Sequence, residues 1–183
     1  MMLIDEKMIK LKNEQVCILR NPKPDDAVQL VEYLKATAAE TDFLLKYPEE
    51  VRITAEQEKE FIESLNGSKR DLMIIAEVDG EVAGNCSFSP VGEKTRVRHR
   101  CAIGIALYKK YWGLGIGREL MSLLLQSAKE CGYEQAELEV VSKNERAVAL
   151  YDKIGFERVG ERPKAMKHKD GSYDSNIIMV KQL

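Results

Sequence analysis

The 183-residue sequence lacks long apolar runs and paired cysteines. No stretch approaches the roughly 18 apolar residues that a membrane-spanning helix requires. Two acidic residues, Asp5 and Glu6, interrupt the N-terminal segment where a signal peptide needs an apolar core. The cysteines form no C-x-x-C pair, which argues against a zinc cluster or a dithiol redox motif. We therefore expect a cytoplasmic protein with no membrane partner, no metal, and buried free thiols at Cys17, Cys86, Cys101 and Cys131.

The sequence also lacks an excess of charge of either sign. It contains 28 Lys and Arg residues against 30 Asp and Glu residues, which gives a net charge of −2. A protein dedicated to nucleic acid needs a basic surface to neutralise phosphates, so nucleic acid is not an expected partner. A local pocket for one phosphate-bearing ligand stays compatible with this balance. The length predicts one domain over residues 1–183, with its core at about 16–181.

What the sequence does contain is an alternation of strand-like and helix-like segments. Strands are predicted at 16–20, 72–78, 81–88, 101–107, 136–141, 156–162 and 177–181. Helices are predicted after Asp26, after a T-x-x-Q capping box at Thr54, after the glycines at 113–117, and after an S-x-x-E box at Ser142. This order predicts a mixed α/β (α+β) fold. The strand–helix–strand unit between 101 and 141 predicts a parallel pair with a right-handed crossover.

The most informative segment is the glycine-rich loop that joins a buried strand to a helix. Its glycines allow close backbone approach, and free amides at a helix start attract anions, which predicts a phosphate or pyrophosphate site at 113–118. The alternative is a loop required only for tight packing. A dinucleotide fingerprint needs G-x-G-x-x-G, but Arg118 stands at its sixth position. A nucleotide-dependent oxidoreductase is therefore the less favoured ligand hypothesis.

The segments YWGLGIG and NERAVALYDKIGF together resemble the GNAT superfamily of acyl-CoA-dependent N-acyltransferases. The loop pattern of that family is [Q/R]-x-x-G-x-[G/A]; Gly115 and Gly117 match it, whereas Trp112 replaces the first residue. The second signature of the family is matched by Asn144, Tyr151, Gly155 and Phe156. The resemblance implies a GNAT-like, mostly antiparallel sheet with helices on both faces. Its central parallel pair would splay at the acyl-CoA site.

The resemblance also implies acetyl-CoA as the co-substrate. The pantetheine arm would add to the fourth strand, and the glycine loop would hold the pyrophosphate. The cofactor-binding residues implied in this way are Ile105, Ala106, Leu107, Gly113, Leu114, Gly115, Ile116, Gly117, Arg118 and Asn144. The basic side chains that could reach the outer phosphates are Lys109, Lys110, Lys143 and Arg146, each with a solvated surface role as the alternative.

The implied reaction is direct attack of a primary amine on the acetyl thioester within a ternary complex. Tyr151 is the expected acid for the departing thiolate, with core packing as its alternative role. Glu139 is the preferred base, with Glu137 as the other glutamate of that strand that could face the cleft, and His99, Glu40 or a water molecule stay open. The second histidine, His168, is predicted to be an exposed loop residue.

The sequence therefore predicts an N-acetyltransferase for a small-molecule or peptide amine. The segments expected beside the acceptor are 40–54, 94–100 and 163–173. A non-catalytic acyl-CoA sensor with the same fold is the main alternative. A homodimer is compatible with the resemblance.

Overall fold

The computed structural model describes residues 2–183 and contains eight strands and four α-helices in that range. The strands are β1 (Lys7–Lys10), β2 (Val16–Arg20), β3 (Leu72–Val78), β4 (Glu81–Pro90), β5 (Arg100–Leu107), β6 (Gln135–Val141), β7 (Glu157–Lys167) and β8 (Tyr173–Gln182). The helices are α1 (Ala27–Glu40), α2 (Ala55–Gly67), α3 (Ile116–Glu130) and α4 (Glu145–Lys153).

All strands join one sheet in the order β1-β2-β3-β4-β5-β6-β8-β7. Every neighbouring pair is antiparallel except β5 and β6, which are parallel. This arrangement confirms the predicted mixed α/β fold and its single parallel pair. It differs from the doubly wound parallel sheet of dinucleotide-binding domains, so the fold does not support the oxidoreductase alternative.

Two apolar cores lie on opposite faces of the sheet, because side chains alternate between the faces of each strand. One core packs α3 and α4 against the face that carries Cys86, Cys101 and Leu138. The other packs α1 and α2 against the face that carries Met73 and Ile75. The predicted helices on both faces are therefore confirmed.

Two local expectations are wrong for physical reasons. The sequence does not predict β1, because this strand has only four residues and carries no buried apolar side chain that would signal it; Met8, for example, is 75% exposed. The cap of α4 is Asn144, whose side chain accepts a hydrogen bond from the Ala147 amide, and not Ser142. Residues 142–144 form a turn before the helix, and this turn moves its start by two residues.

Gly84 on β4 allows close approach of β5. A Cβ atom there would lie 2.7 Å from both the Ala106 carbonyl oxygen and Leu107 Cγ. We expect Gly84→Ala to lower the free energy of unfolding by about 1–3 kcal/mol, as overpacking does. Gly104→Ala is the matched control, since its Cβ would meet nothing within 4 Å. Urea denaturation measures both, and equal midpoints would contradict this account.

Candidate active site

The central feature of the site is a gap between β5 and β6. The two strands pair only at Arg100, Cys101 and Ala102 of β5. Strand β6 continues to pair with β8 as far as Val141, so it remains ordered while it diverges from β5. The edge of β5 that faces β6 is therefore unpaired from residue 103 onward.

The orientation of the free amides in this gap follows from the β4–β5 ladder. Tyr108 donates its N–H to the Ala83 carbonyl on β4, at 3.0 Å. Successive amides of a strand point to opposite edges, and the ladder from Cys101 to Leu107 has no register shift. The N–H groups of Leu107 and Ile105 consequently point into the gap. Those residues were the predicted pantetheine contacts.

The glycine loop lies at the C-terminal end of β5 and opens α3. Gly113 and Gly115 have φ values of 80° and 102°, a left-handed conformation that favours glycine. Gly115 caps the helix, and its carbonyl accepts the amides of Arg118 and Glu119. Only the amides of Ile116 and Gly117 precede those bonded amides in α3, and these are the groups suited to an anion.

Gly117 marks the place where β5, α3 and α4 meet. A Cβ atom at Gly117 would lie 3.4 Å from Leu150 Cδ2, 3.7 Å from Leu107 Cδ1 and 3.8 Å from Ile105 Cδ1. The loop therefore abuts both the unpaired strand edge and the helix that carries Tyr151.

Trp112, which replaces the Gln or Arg of the family pattern, anchors a cationic cluster beside the loop. Its indole N–H donates to the Leu107 carbonyl at 2.9 Å. The Arg146 guanidinium lies 5.2 Å from the ring centroid, and the Lys109 ammonium lies at 5.8 Å, both within cation–π range. Arg146 Nη1 is also 3.5 Å from the position of a Cβ on Gly113. The contact between Arg146 and Trp112 could not be predicted from the sequence, because the two residues are distant in the chain and meet only in the folded protein.

Tyr151 lies on α4 and is only 7% exposed. Its ring packs edge-to-face on Phe156, with the centroids 5.8 Å apart. Burial raises the pKa of Tyr151 to about 12, so the hydroxyl stays protonated at physiological pH. Burial and the nearby Cys86 account for this shift without any hydrogen bond to the hydroxyl from residues 2–183, which leaves it free to donate to a ligand.

The two glutamates of β6 are both engaged by arginines. Glu139 forms an ion pair with Arg162 at 2.8 Å and accepts a hydrogen bond from Asn176 Nδ2 at 3.2 Å. Glu137 pairs with Arg100 at 2.6 Å. Both carboxylates therefore already have arginine partners, which an incoming amine would have to share or displace at Glu139.

The other two candidate bases are also placed unfavourably. His99 precedes the end of β5 that is paired with β6, about 20 Å along the strand from Ile105 at the usual rise per residue. Glu40, at the end of α1, accepts the Lys109 amide at 2.7 Å. Glu40 thus connects α1 to the C-terminal end of β5.

A cavity of about 160 Å³ lies between the segment after α1 and the end of β7. Two contacts join its two walls. The Tyr47 hydroxyl accepts a hydrogen bond from the Lys169 amide at 3.1 Å, and the Lys169 ammonium forms an ion pair with Glu49. The lining residues are Ala38, Thr41, Asp42, Leu44, Leu45, Lys46, Tyr47, Ala165, Met166, Lys167 and His168. Apart from Ala38, these residues lie in the segments 40–54 and 163–173 that the sequence predicts beside the acceptor.

His168 is not the exposed residue that the sequence predicted. Its side chain is 17% exposed, and its Nε2 atom lies 2.8 Å from Asp174 Oδ2. The Asp174 side chain is 5% exposed and also pairs with the Lys143 ammonium. Hydrogen bonds from the Lys143 ammonium and from the His168 ring hold the pKa of Asp174 below its usual range, so Asp174 is an anion beside the imidazole.

Comparison with known proteins identifies the class of this site. A model of the acetyltransferase (GNAT) family matches residues 30–156. An N-alpha-acetyltransferase of Sulfurisphaera tokodaii is 35% identical over 117 residues, which are 60% of this chain and 68% of that relative. An acetyltransferase of the GNAT family from Streptococcus pneumoniae has a TM-score of 0.87 at 27% identity, covering 91% of this chain and 99% of that one. A phosphinothricin acetyltransferase from Sinorhizobium meliloti, solved with acetyl-CoA, has a TM-score of 0.79 at 19% identity, covering 96% and 89%.

The family match spans more than half of the chain, and the protein therefore belongs to the acetyltransferase (GNAT) family. The predicted GNAT-like fold and the predicted acyltransferase class are both confirmed.

Among residues 2–183 no cluster of three or more His, Cys, Asp or Glu side chains could hold a metal ion. In the same range no helix is long and apolar enough to cross a membrane.

Proposed function

We propose that this protein transfers the acetyl group of acetyl-CoA to a primary amine within a ternary complex. The observation that carries the proposal is the unpaired edge of β5, which leads directly to the left-handed glycine loop. An extended amide-containing arm followed by a pyrophosphate fits this combination of free amides and an anion site. A single domain, with its core at about residues 16–181, would bind both acetyl-CoA and the amine.

We also propose a cytoplasmic location, with which the four free cysteines are consistent.

The cofactor would lie along β5 and end at α3. Its pantetheine amides would bond to the backbone of Ile105 and Leu107, with Ala106 between them, and its pyrophosphate would meet residues 113–118. Asn144 contributes by capping α4, which fixes the helix that carries Arg146 and Tyr151. Arg146, held over Trp112, would supply the side-chain contact to phosphate that the Gln or Arg of the family pattern otherwise supplies.

In the chemical step the amine nitrogen forms a bond to the acetyl carbon, and the bond from that carbon to sulfur breaks. A Tyr151 pKa of about 12 lies above that of an ordinary thiol, ~8.5, so complete proton transfer to the thiolate is uphill. We therefore assign Tyr151 a refined role, in which its hydroxyl donates a hydrogen bond to the departing sulfur. The preformed donor stabilises the negative charge as it develops.

The acceptor would enter from the sheet face that carries Glu139 and Asn176, beside the cavity between α1 and β7. Asn176 Oδ1 is buried and has no hydrogen-bond partner among residues 2–183, so it is a free acceptor for an amine N–H. Glu139, although paired with Arg162, adds negative charge that favours a cationic amine nearby. A relative with the name N-alpha-acetyltransferase supports an α-amino group as one class to test.

An amine panel tests the proposal. Enzyme and acetyl-CoA are mixed with amino acids, amino-acid amides, polyamines or short peptides, and the released CoA thiol and the acetylated product are quantified. We expect amine-dependent thiol release matched by product. Binding of acetyl-CoA by calorimetry without amine-dependent release would instead favour the non-catalytic sensor. Absence of acetyl-CoA binding would contradict both.

The Arg146 assignment makes a separate prediction. Arg146→Ala should weaken acetyl-CoA binding about tenfold, because a charge-assisted hydrogen bond to phosphate is lost. The affinity for S-acetylpantetheine, which lacks the phosphates, should not change. Arg158→Ala is the matched control, since Arg158 is an exposed arginine that pairs with Asp152 at 2.7 Å. Calorimetric titration measures all of these, and equal losses for both ligands would contradict the phosphate contact.

A further inference from the structure

We propose that His168, held by the buried Asp174, is the base that accepts the proton of the amine acceptor. The inference rests on the proposed function and names a residue of its acceptor side. It replaces the candidates Glu139, His99 and Glu40.

The hydrogen bond between the two residues fixes the tautomer of His168. An ionised carboxylate only accepts hydrogen bonds, so the Nε2 atom at 2.8 Å from Asp174 Oδ2 carries the proton. In the neutral imidazole the lone pair is then on Nδ1. The buried carboxylate would also stabilise the imidazolium that forms after protonation, as the aspartate of a catalytic triad does.

The location of His168 connects it to the gap between β5 and β6. His168 lines the cavity between the α1 wall and the β7 wall. The first wall adjoins the end of β5, because Glu40 bonds the Lys109 amide. The second wall is connected to the end of β6 through β8, because Met166 pairs with Asp174 and the nearby Asn176 pairs with Val141. The cavity therefore lies at the C-terminal ends of the two strands between which the acetyl group would be delivered.

A row of polar side chains leads from the cavity toward the gap. Asp174 and Asn176 are two residues apart on β8, so their side chains share one face of the sheet. Asn176 donates to Glu139 on β6 at 3.2 Å, which places all three on the face opposite α3 and α4. These groups place Asp174, and the imidazole that it holds, on the same face of the sheet as the acceptor side of the gap. The amine would give its proton to Nδ1 from the cavity, directly or through one water molecule.

The proposed step conserves protons and electrons. The amine loses one N–H proton to Nδ1 of His168 as its nitrogen attacks the acetyl carbon, and the sulfur leaves with the electron pair of the broken bond. The imidazolium then releases its proton to solvent through the open side of the cavity. The charged and titratable groups beside the imidazole are Asp174, Lys143 and Asp170, and those that share its cavity are Lys167, Lys46, Asp42 and Tyr47.

His168→Gln tests the proposal, with His99→Gln as the matched control because the sequence contains only these two histidines. We expect kcat at neutral pH to fall about 10²-fold in His168→Gln, as loss of a general base does. The acetyl-CoA affinity should not change, and His99→Gln should behave as wild type. Asp174→Asn should also lower kcat. Added imidazole should partly restore the activity of a His168→Gly variant.

The pH profile separates a catalytic role from a structural one. At saturating amine, wild-type kcat should rise and then level off once histidine is neutral, whereas kcat of His168→Gln should keep rising with hydroxide concentration. Identical profile shapes for the two proteins would overturn the assignment. If His168→Gln does not fold, the pH profile of kcat for Asp174→Asn is compared with that of the wild type instead. A wild-type protein without amine-dependent turnover would contradict the proposed function itself, which is a distinguishable result.

Discussion

Replacing Tyr151 by phenylalanine is expected to lower kcat about 10²-fold while acetyl-CoA affinity stays unchanged. No hydrogen bond from residues 2–183 contributes to the pKa of the hydroxyl, so its removal breaks no internal hydrogen bond and should not reduce stability. The ring keeps its edge-to-face packing on Phe156. What is lost is the donor to the departing sulfur. Steady-state kinetics, with calorimetry for acetyl-CoA, measures both quantities.

Tyr133→Phe is the matched control for this substitution. Tyr133 is 2% exposed and packs edge-to-face on Phe88 at 5.5 Å, much as Tyr151 packs on Phe156. Its hydroxyl donates to the Arg70 carbonyl at 2.9 Å and accepts from Arg70 Nε at 3.2 Å, so its loss should cost about 1–3 kcal/mol of stability. Its kcat should match wild type. A Tyr151→Phe enzyme with wild-type kcat would remove Tyr151 from the chemistry and return it to core packing.

Gly115→Ala is expected to weaken acetyl-CoA binding about tenfold or more, a change of about 1.4 kcal/mol. At φ 102° the alanine is strained by about 1–2 kcal/mol, and relief of that strain would move the amides that open α3. A Cβ at Gly115 meets nothing within 4 Å in the protein, so it would project into the open space where an anion would approach.

Gly132→Ala separates backbone strain from ligand binding. Gly132 has φ 88°, also has open space around its Cβ position, and follows the opposite end of the same helix. Both variants should lose similar stability in thermal or urea denaturation, but only Gly115→Ala should lose acetyl-CoA affinity. An equal affinity loss in both variants would indicate a global effect and contradict an anion site at Gly115.

The elements with strong local patterns could be predicted from the sequence. The T-x-x-Q box at Thr54 is formed as expected, with reciprocal hydrogen bonds of 3.0 and 3.2 Å to Gln57. The Asp79–Gly80 turn joins β3 to β4 as predicted. Strand β7 extends to Lys167, beyond the predicted end at 162, because its residues are almost all exposed and carry no alternating apolar signal.

The side-chain partners in the site could not be predicted, because they are brought together by the pairing of strands and the packing of helices. Glu139 was a reasonable base as an isolated carboxylate, but Arg162 reaches it from β7. His168 was assigned to the surface because it lies between two lysines, yet Asp174 on the next strand holds it inside a cavity wall. The position of Arg146 over Trp112 likewise depends on how α4 packs beside the glycine loop.

Hydrogen–deuterium exchange of the wild-type protein, with and without acetyl-CoA, tests whether the cofactor binds along β5 and at the glycine loop. We expect acetyl-CoA to slow exchange of the β5 amides that face the gap, at 105 and 107, and of the amides at 113–118. Exchange of the β1 edge, far from the gap in the strand order, should not change. Protection elsewhere, with these amides unaffected, would contradict the proposed site.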